Sequence, residues 1–176
     1  MKTTLKRRTF LAPLFLAGLA RWLSPGSDAA EAETKPLLPS PDSFSAAATE
    51  ALQAMTKRAG ELHVKGVAVV AYFEGDHASS WSSKMVVVGS MKNAPTEKDR
   101  GANLLGIAYS KAAEMADSLK DSGTAGRPPM TGELGWQGGV IAKAKTGYVL
   151  AAFSGGPSED DVRISRTGLQ VLADRL

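Results

Sequence analysis

Three consecutive carboxylates, Glu159, Asp160 and Asp161, form the densest group of potentially reactive side chains in the sequence. Two neighbouring carboxylates can act as general acid and general base in a hydrolytic reaction. The same residue types are also favoured in the first turn of a helix, because their charge lies at its positive end. Ser158 precedes them and can accept a hydrogen bond from the first backbone amides of that helix. The position therefore favours helix capping over acid–base chemistry.

Histidine and cysteine are scarce, since the chain contains only His63 and His77 and no cysteine. Zinc usually takes several histidine or cysteine ligands, so the sequence predicts no metal site. The lack of cysteine also excludes disulfides and thiolate chemistry. The sequence contains no nucleophile elbow, no Walker loop and no dinucleotide-binding glycine fingerprint. No catalytic residue is therefore predicted.

The aromatic residues that could stack on a planar ligand are Trp81, Tyr109, Trp136 and Tyr148. Trp136 borders a long segment rich in glycine and proline, 122–135, and loops of this length are usually functional or mobile. Packing in a core is the commoner use of an aromatic side chain. The sequence leaves both uses open for Trp136.

The segment 138–161 predicts a β-hairpin that turns sharply into a helix. Two short apolar runs flank Lys145-Thr146-Gly147, where the glycine can adopt a positive φ and close the hairpin. The second run ends in Gly155-Gly156-Pro157, which cannot continue a strand. Because the strand must reverse within a few residues, we expect Gly155 or Gly156 to adopt a backbone conformation that a side chain would strain.

Hydrophobic periodicity predicts the other elements. Helices are predicted from a cap at Asp42 or Ser43 to about His63, from about Ala102 to Leu119, and from Ser158 to about Asp174. Strands are predicted at Val67–Phe73 and Lys84–Val88, and a solvated loop at 93–100. The order α-β-β-α-β-β-α indicates an α+β fold with a four- to five-stranded antiparallel sheet packed by helices.

Residues 1–32 are typical of an export signal. Lys6-Arg7-Arg8-Thr9-Phe10-Leu11 is a twin-arginine-like pattern ahead of an apolar run that is too short to span a bilayer. Ala30-Glu31-Ala32 offers a cleavage site. The general export pathway and an uncleaved anchor helix are the alternatives. The signal predicts a periplasmic or extracellular protein that contacts the membrane only before cleavage.

The mature chain is predicted to consist of a proline-rich linker, 33–43, and one domain, 44–176. Cleavage after Ala32 would leave 16 of the 21 basic residues and 16 of the 18 acidic ones. A neutral chain offers no cluster of lysine and arginine for nucleic acid, so nucleic-acid binding is not expected.

The order of short motifs resembles the GlcG/HbpS-like family of haem-degrading domains. The motifs are Gly138-Gly139, two apolar strands with a glycine turn, Ser154-Gly155, the acidic cluster and Gly168-Leu169. Upstream, Lys111-Ala112 resembles the family's Lys-Ala pair on its middle helix. Val140-Ile141 and Glu114-Met115 stand where that family usually has a proline and Thr-Ala. The resemblance covers roughly residues 45–176.

The resemblance implies a profilin-like fold and a flat haem bound against the middle helix and the loop after it. Thr124 would supply an iron-side contact, although an oxygen ligand is poor for haem compared with His, Cys, Met or Tyr. The ligand-binding residues that it implies are Lys111, Thr124, Trp136, Gly139, Ser154 and Gly155.

Three functions follow as hypotheses. The first is an exported protein that binds a small planar ligand, with haem as the named cofactor. The second is a non-enzymatic profilin-like module that forms homo-oligomers or docks on the outer domain of a sensor. The third is a haem-degrading enzyme, ranked last because nothing in the sequence pairs a nucleophile with a base.

Overall fold

Helix α1 (Pro41–Glu61) is the first element of the computed structural model, which describes residues 41–176. Its buried stripe follows the predicted helical spacing and comprises Phe44, Ala48, Leu52, Met55 and Ala59. The predicted export signal and most of the predicted linker lie outside the described residues.

The start of α1 differs from the prediction. The helix already includes Pro41, Asp42 and Ser43, so neither Asp42 nor Ser43 is its N-cap, and the last residues assigned to the linker are helical. Proline is tolerated in a first helical turn because the N–H that it lacks would have no intrahelical partner there.

Eight further elements follow α1 along the chain. They are β1 (Gly66–Glu74), β2 (Ser82–Val88), β3 (Lys92–Asn93), β4 (Ala102–Asn103), α2 (Leu104–Ser118), β5 (Gly139–Lys143), β6 (Gly147–Ser154) and α3 (Ser158–Arg175). The short strands β3 and β4 pair with each other at the two ends of the predicted solvated loop. Helix α2 starts at Leu104 rather than Ala102, because Asn103 caps it by accepting a hydrogen bond from the Gly106 amide at 3.0 Å.

The main sheet has four antiparallel strands in the order β2-β1-β6-β5. The sheet and the three helices confirm the predicted α+β fold, and their order is consistent with a profilin-like arrangement. The two central strands, β1 and β6, carry the most buried residues, whereas β2 is an open edge with Val87 exposed.

Helices cover both faces of the sheet because successive side chains of a strand point to opposite sides. On one face, Ala68 and Val70 of β1 pack in a core with α1 and α3. On the other face, Val67 and Val69 pack against Leu104 and Ala108 of α2. The fully buried Phe73 belongs to a third cluster, which includes Ala112 and Met115 of α2. The sheet thus lies between α2 and the α1–α3 pair.

The predicted hairpin is confirmed, but its glycine acts differently from the expectation. Gly147 does not adopt a positive φ. A side chain at this position would instead overlap the carbonyl oxygen of Phe73 on the neighbouring strand. Gly147 is therefore required by the close approach of two backbones.

The predicted cap of α3 is wrong. Ser158 is already part of the helix, Pro157 occupies the N-cap position, and no side chain caps this end. The carbonyl oxygen of Pro157 accepts hydrogen bonds from the amides of Asp160 and Asp161, both at 3.0 Å. The acidic residues do lie in the first turn, as predicted.

Within residues 41–176, no helix combines the length and the apolar character that crossing a membrane requires.

Candidate functional site

A buried ion pair joins α2 to α3. The Lys111 ammonium donates hydrogen bonds to the Asp161 Oδ2 and to the Phe153 carbonyl oxygen, both at 2.8 Å. Lys111 is 2% exposed and Asp161 is 3% exposed, so the pair is almost completely removed from water. Removing two charges from water costs free energy. The ion pair offsets that cost only if both charged groups are well hydrogen-bonded.

The turn after β6 holds the carboxylate of this pair. Asp161 Oδ1 accepts a hydrogen bond from the Gly156 amide at 2.9 Å. Burial raises the pKa of Asp161, and the Lys111 ammonium and the amides of Gly155 and Gly156 oppose that shift. Asp161 therefore ties the start of α3 to the turn before it and to α2.

Gly138 completes the surroundings of the lysine. A side chain at this position would overlap the Lys111 Nζ, so only glycine leaves room for the ammonium. The Gly138 carbonyl oxygen accepts hydrogen bonds from the Ser165 hydroxyl at 2.7 Å and from the Phe153 amide at 3.0 Å. The loop before β5, the end of β6 and α3 thus converge on Lys111.

A small cavity of about 170 Å³ opens beside the ion pair. We call it the Lys111 cavity, and it is lined by Lys111, Trp136, Ser154, Gly155, Ser158 and Asp161, among others. It lies at the N-terminal end of α3, where first-turn backbone amides lack helical partners.

A larger cleft of about 470 Å³ lies between α2 and the loop before β5. We call it the Trp136 cleft, and its lining includes Ala102, Gly106, Ile107, Ser110, Leu134 and Trp136. Ala102, Ile107 and Trp136 line the Lys111 cavity as well, so the two spaces adjoin. The Trp136 side chain is 53% exposed, which makes its indole available to a ligand.

The loop that carries Trp136 is organised by ion pairs. Arg127 donates to both carboxylate oxygens of Glu133, at 2.7 and 2.9 Å, and to Asp117 at the end of α2, at 2.6 Å. The Met130 amide donates to the same Glu133 carboxylate at 2.8 Å. A bidentate arginine–carboxylate pair has defined geometry, so this wall of the cleft is formed in advance of any ligand.

We expect acid to loosen this loop. The hydrogen bonds from Arg127 and Met130 lower the pKa of Glu133 from 4.5 to about 2. A carboxylate with a lowered pKa in the folded state stabilises that state above its ordinary pKa, and the contribution is lost as the pH falls towards the folded-state value. Trp136 fluorescence, recorded with Trp22 and Trp81 replaced by phenylalanine, should therefore change between about pH 4.5 and pH 2. Glu133→Gln should remove that step, and a titration that is identical in this variant would contradict the assignment.

Two buried polar atoms beneath the same loop have no partner among the described residues, Ser110 Oγ and Glu114 Oε2. Glu114 is 2% exposed, and its other carboxylate oxygen accepts a hydrogen bond from the Gly123 amide at 2.9 Å. Both residues lie on α2, one helical turn apart. Unpartnered buried polar atoms are costly, and they are frequent at sites that bind water or ligands.

Four of the six predicted site residues line one space. Lys111, Trp136, Ser154 and Gly155 all contribute to the Lys111 cavity. Gly139 does not line it, because it packs against Met115 and donates its amide to the Ser122 Oγ at 2.8 Å. Thr124 lies outside it too, exposed, with its hydroxyl bonded to the Asp121 carbonyl oxygen at 2.6 Å.

Sequence reasoning missed the role of Asp161, Ser110, Glu114 and the Arg127–Glu133 pair. The sequence predicts that Asp161 stabilises the helix end together with Glu159 and Asp160, yet Asp161 is buried while Glu159 is exposed. One signal was available, since Lys111 lies between Ala108 and Ala112 on the apolar face of α2. A lysine on such a face requires a buried acceptor or anion.

A cavity of about 540 Å³, larger than the Trp136 cleft, lies elsewhere, between α1 and the edge strand β2. Its lining is mainly apolar and includes Leu52, Met85 and Val86. Lys84, one of the two lysines that line it, already donates to the Ser45 carbonyl oxygen and hydroxyl. We place the candidate site at the Trp136 cleft because Ser110, whose hydroxyl has no partner among the described residues, and the exposed Trp136 both line it.

The residues described here contain no group of three or more histidine, cysteine, aspartate or glutamate side chains that could hold a metal ion. A comparison with known protein families and with curated protein sequences finds no match to this chain.

Proposed function

We propose that this protein binds a small ligand with a flat apolar part in the Trp136 cleft and the adjoining Lys111 cavity. The observation that carries the proposal is the half-exposed indole of Trp136 at the junction of the two spaces. Ligand pockets are commonly about 300–1,000 Å³, apolar in most of their lining and supplied with a few polar groups. The cleft, at about 470 Å³, has this composition.

Membership in the GlcG/HbpS-like family and export from the cytoplasm are parts of the same proposal. They rest on the motif order and on the N-terminal pattern described above. The clustering of Lys111, Trp136, Ser154 and Gly155 supports the family's implied binding region against the middle helix.

Haem is the ligand that the resemblance implies, and the lining residues fit it only in part. Trp136, Ile107 and Leu134 offer apolar surface to a flat ring. None of the residues that line the two spaces is histidine, cysteine, methionine or tyrosine, the side chains that usually bind haem iron. The proposal is therefore a planar organic ligand in general, with haem as the member to be tested first.

Titration with haemin tests this directly. If haem is the ligand, protein purified from an exporting host should shift the Soret band and saturate near one-to-one stoichiometry. Trp136→Ala should weaken binding, while Trp81→Ala, a change at the other described tryptophan, should not. An absent or unsaturable shift would remove haem from the proposal. Bleaching of the bound pigment on addition of ascorbate would instead favour the haem-degrading enzyme.

A second candidate function is an interaction module that forms homo-oligomers or docks on a sensor. The apolar cavity between α1 and β2 favours it, because β2 is an open sheet edge and Val87 on it is 42% exposed. Native mass spectrometry of the purified protein separates the two candidates. A retained small molecule on a monomer supports ligand binding, whereas a stable oligomer without a ligand supports the interaction module.

A further inference from the structure

We propose that two copies of this protein pair antiparallel through the outer edge of β2, so that their four-stranded sheets join into one continuous sheet. The inference rests on the second candidate function. It names the partner, a second copy of the chain, and the surface that binds it. Ligand binding in the Trp136 cleft does not depend on it.

The β5 edge of the main sheet is closed by the chain's own loop. The Ser122 amide donates to the Gly139 carbonyl oxygen at 3.2 Å, and the Gly139 amide donates to the Ser122 Oγ at 2.8 Å. The Ile141 amide donates to the Asp121 Oδ1 at 3.0 Å. These bonds occupy backbone groups that another strand would need, so β5 does not accept one.

The β2 edge has no comparable cover, since no strand of residues 41–176 pairs with its outer side. β2 has seven residues in unbroken register with β1, and none of them is proline or glycine. Its one charged residue, Lys84, donates to the Ser45 carbonyl oxygen at 3.0 Å and hydroxyl at 2.7 Å, which holds the ammonium on α1. Unpaired edges are usually protected by charges, prolines or bulges. β2 therefore lacks the features that prevent pairing.

Exposed apolar side chains mark the same edge. Trp81 is 37% exposed, Val87 is 42% exposed and Met91 is 45% exposed, and all three lie in β2 or beside its ends. The other large apolar side chains that are exposed in the described part of the chain lie in the loop before β5. A row of apolar residues along an unpaired strand favours the addition of a further strand.

The strand that suits this edge is β2 itself. Met85 packs on the α2 side of the sheet, whereas Val86 and Val88 pack on the α1 side, so β2 presents apolar side chains on both faces. Opposite residues of an antiparallel pair point to the same face. Val86 lines the apolar cavity of about 540 Å³ between α1 and β2. The partner's Val86 would lie beside it and cover the open side of that cavity.

Charge and symmetry also favour a second copy. A pairing centred on Met85 or Val86 places each Lys84 opposite a valine of the partner strand, so no like charges oppose each other. A two-fold axis lets the same edge serve both copies. Because the β5 edge is closed, the pairing ends at two copies and gives a dimer rather than a filament.

Analytical ultracentrifugation of the full chain, purified from an exporting host, tests the dimer. At micromolar concentration the protein should sediment as a dimer. Val87→Lys should raise the dissociation constant of the dimer by at least about tenfold, because it places a charge inside the joined sheet. Met130→Lys is the matched control. Met130 is 49% exposed and lies outside β2, so its replacement should leave the dimer unchanged.

Single cysteines test the antiparallel arrangement, because the chain contains no cysteine of its own. Val86→Cys should be crosslinked into a covalent dimer by a short bismaleimide, since residue 86 lies at or next to the symmetry axis. Ser80→Cys should not be crosslinked. Antiparallel pairing places the two copies of residue 80 at opposite ends of the joined strands, roughly 30–40 Å apart.

The outcomes separate this inference from both candidate functions. A monomer at all these concentrations overturns the inference and the homo-oligomer together, and leaves the β2 edge to a different protein or to residues 1–40. A dimer that Val87→Lys does not weaken, or that crosslinks equally at residues 80 and 86, overturns the inference while the interaction module stands. Ligand binding is decided separately, by the haemin titration.

Discussion

Asp161→Asn is expected to lower the free energy of unfolding by about 3–5 kcal/mol, because it leaves the buried Lys111 ammonium without its counter-charge. Lys111 is 2% exposed, so water cannot replace the lost carboxylate without opening the structure. The asparagine is nearly isosteric, and the loss therefore reports the charge and not a cavity. Urea denaturation followed by circular dichroism measures it.

The matched control is the double variant Lys111→Met, Asp161→Leu. Removing both charges spares the protein the cost of one unpaired buried ion, so the double variant should be more stable than Asp161→Asn. A double variant that is less stable than the single one would show that the pair contributes net stability. An effect of Asp161→Asn below about 1 kcal/mol would mean that the ammonium finds another acceptor.

The second large effect is expected at Gly155. A side chain there would overlap the carbonyl oxygen of Lys65 and lie 2.7 Å from the Gly66 Cα, and both of these are backbone atoms. The φ of Gly155 is 157°, which side chains rarely adopt. This agrees with the expectation from the sequence that one glycine of the turn would not accept a side chain. Gly155→Ala should cost about 2–4 kcal/mol, because the strand β1 would have to move.

Gly156→Ala is the control for this prediction. A Cβ at Gly156 would lie 2.9 and 3.2 Å from two methyl groups of Val64, which can rotate away. Its cost should be smaller, on the order of 1 kcal/mol. Equal losses in the two variants would show that the whole turn, and not the contact with Lys65, sets the requirement for glycine.

Both predictions concern residues that also border the Lys111 cavity. Asp161 and Gly155 line it, and each is fixed by contacts with a distant part of the chain. The cavity is therefore made by the same contacts that close α3 onto β1 and α2. A ligand bound there should raise the midpoint of thermal unfolding, because it binds only the folded state.

Much of the fold could be predicted because its signals are local. The apolar stripe of α1 recurs every three or four residues, and the runs of β1 and β6 are rich in β-branched and small apolar residues. Apolar residues that alternate along a strand, or recur every three or four residues along a helix, can be recognised from a short stretch of sequence. The order of elements and the antiparallel hairpin of β5 and β6 follow from these patterns together with short connections.

The first residues of the helices were less predictable. A side chain caps a helix only if the backbone just before the helix has the right conformation. Ser158 and Asp42 are good capping types, yet both lie inside helices. At α3 the backbone enters through Pro157, and Asp161 reaches back to the Gly156 amide in place of a serine cap. Asn103 caps α2, which starts two residues later than the apolar pattern suggested.

The sequence by itself determined the three helices, the four main strands and their order. A family resemblance added the candidate ligand contacts Lys111, Thr124, Trp136, Gly139, Ser154 and Gly155, which stay a prediction. Only the tertiary structure decided that Asp161 serves Lys111, because the two residues are separated by 50 positions along the chain. The tertiary structure also placed Gly139 and Thr124 outside the Lys111 cavity. The spacing of apolar residues indicates which face of a helix or strand is buried. The partner of a buried charge is set by the packing of elements that are distant in the sequence.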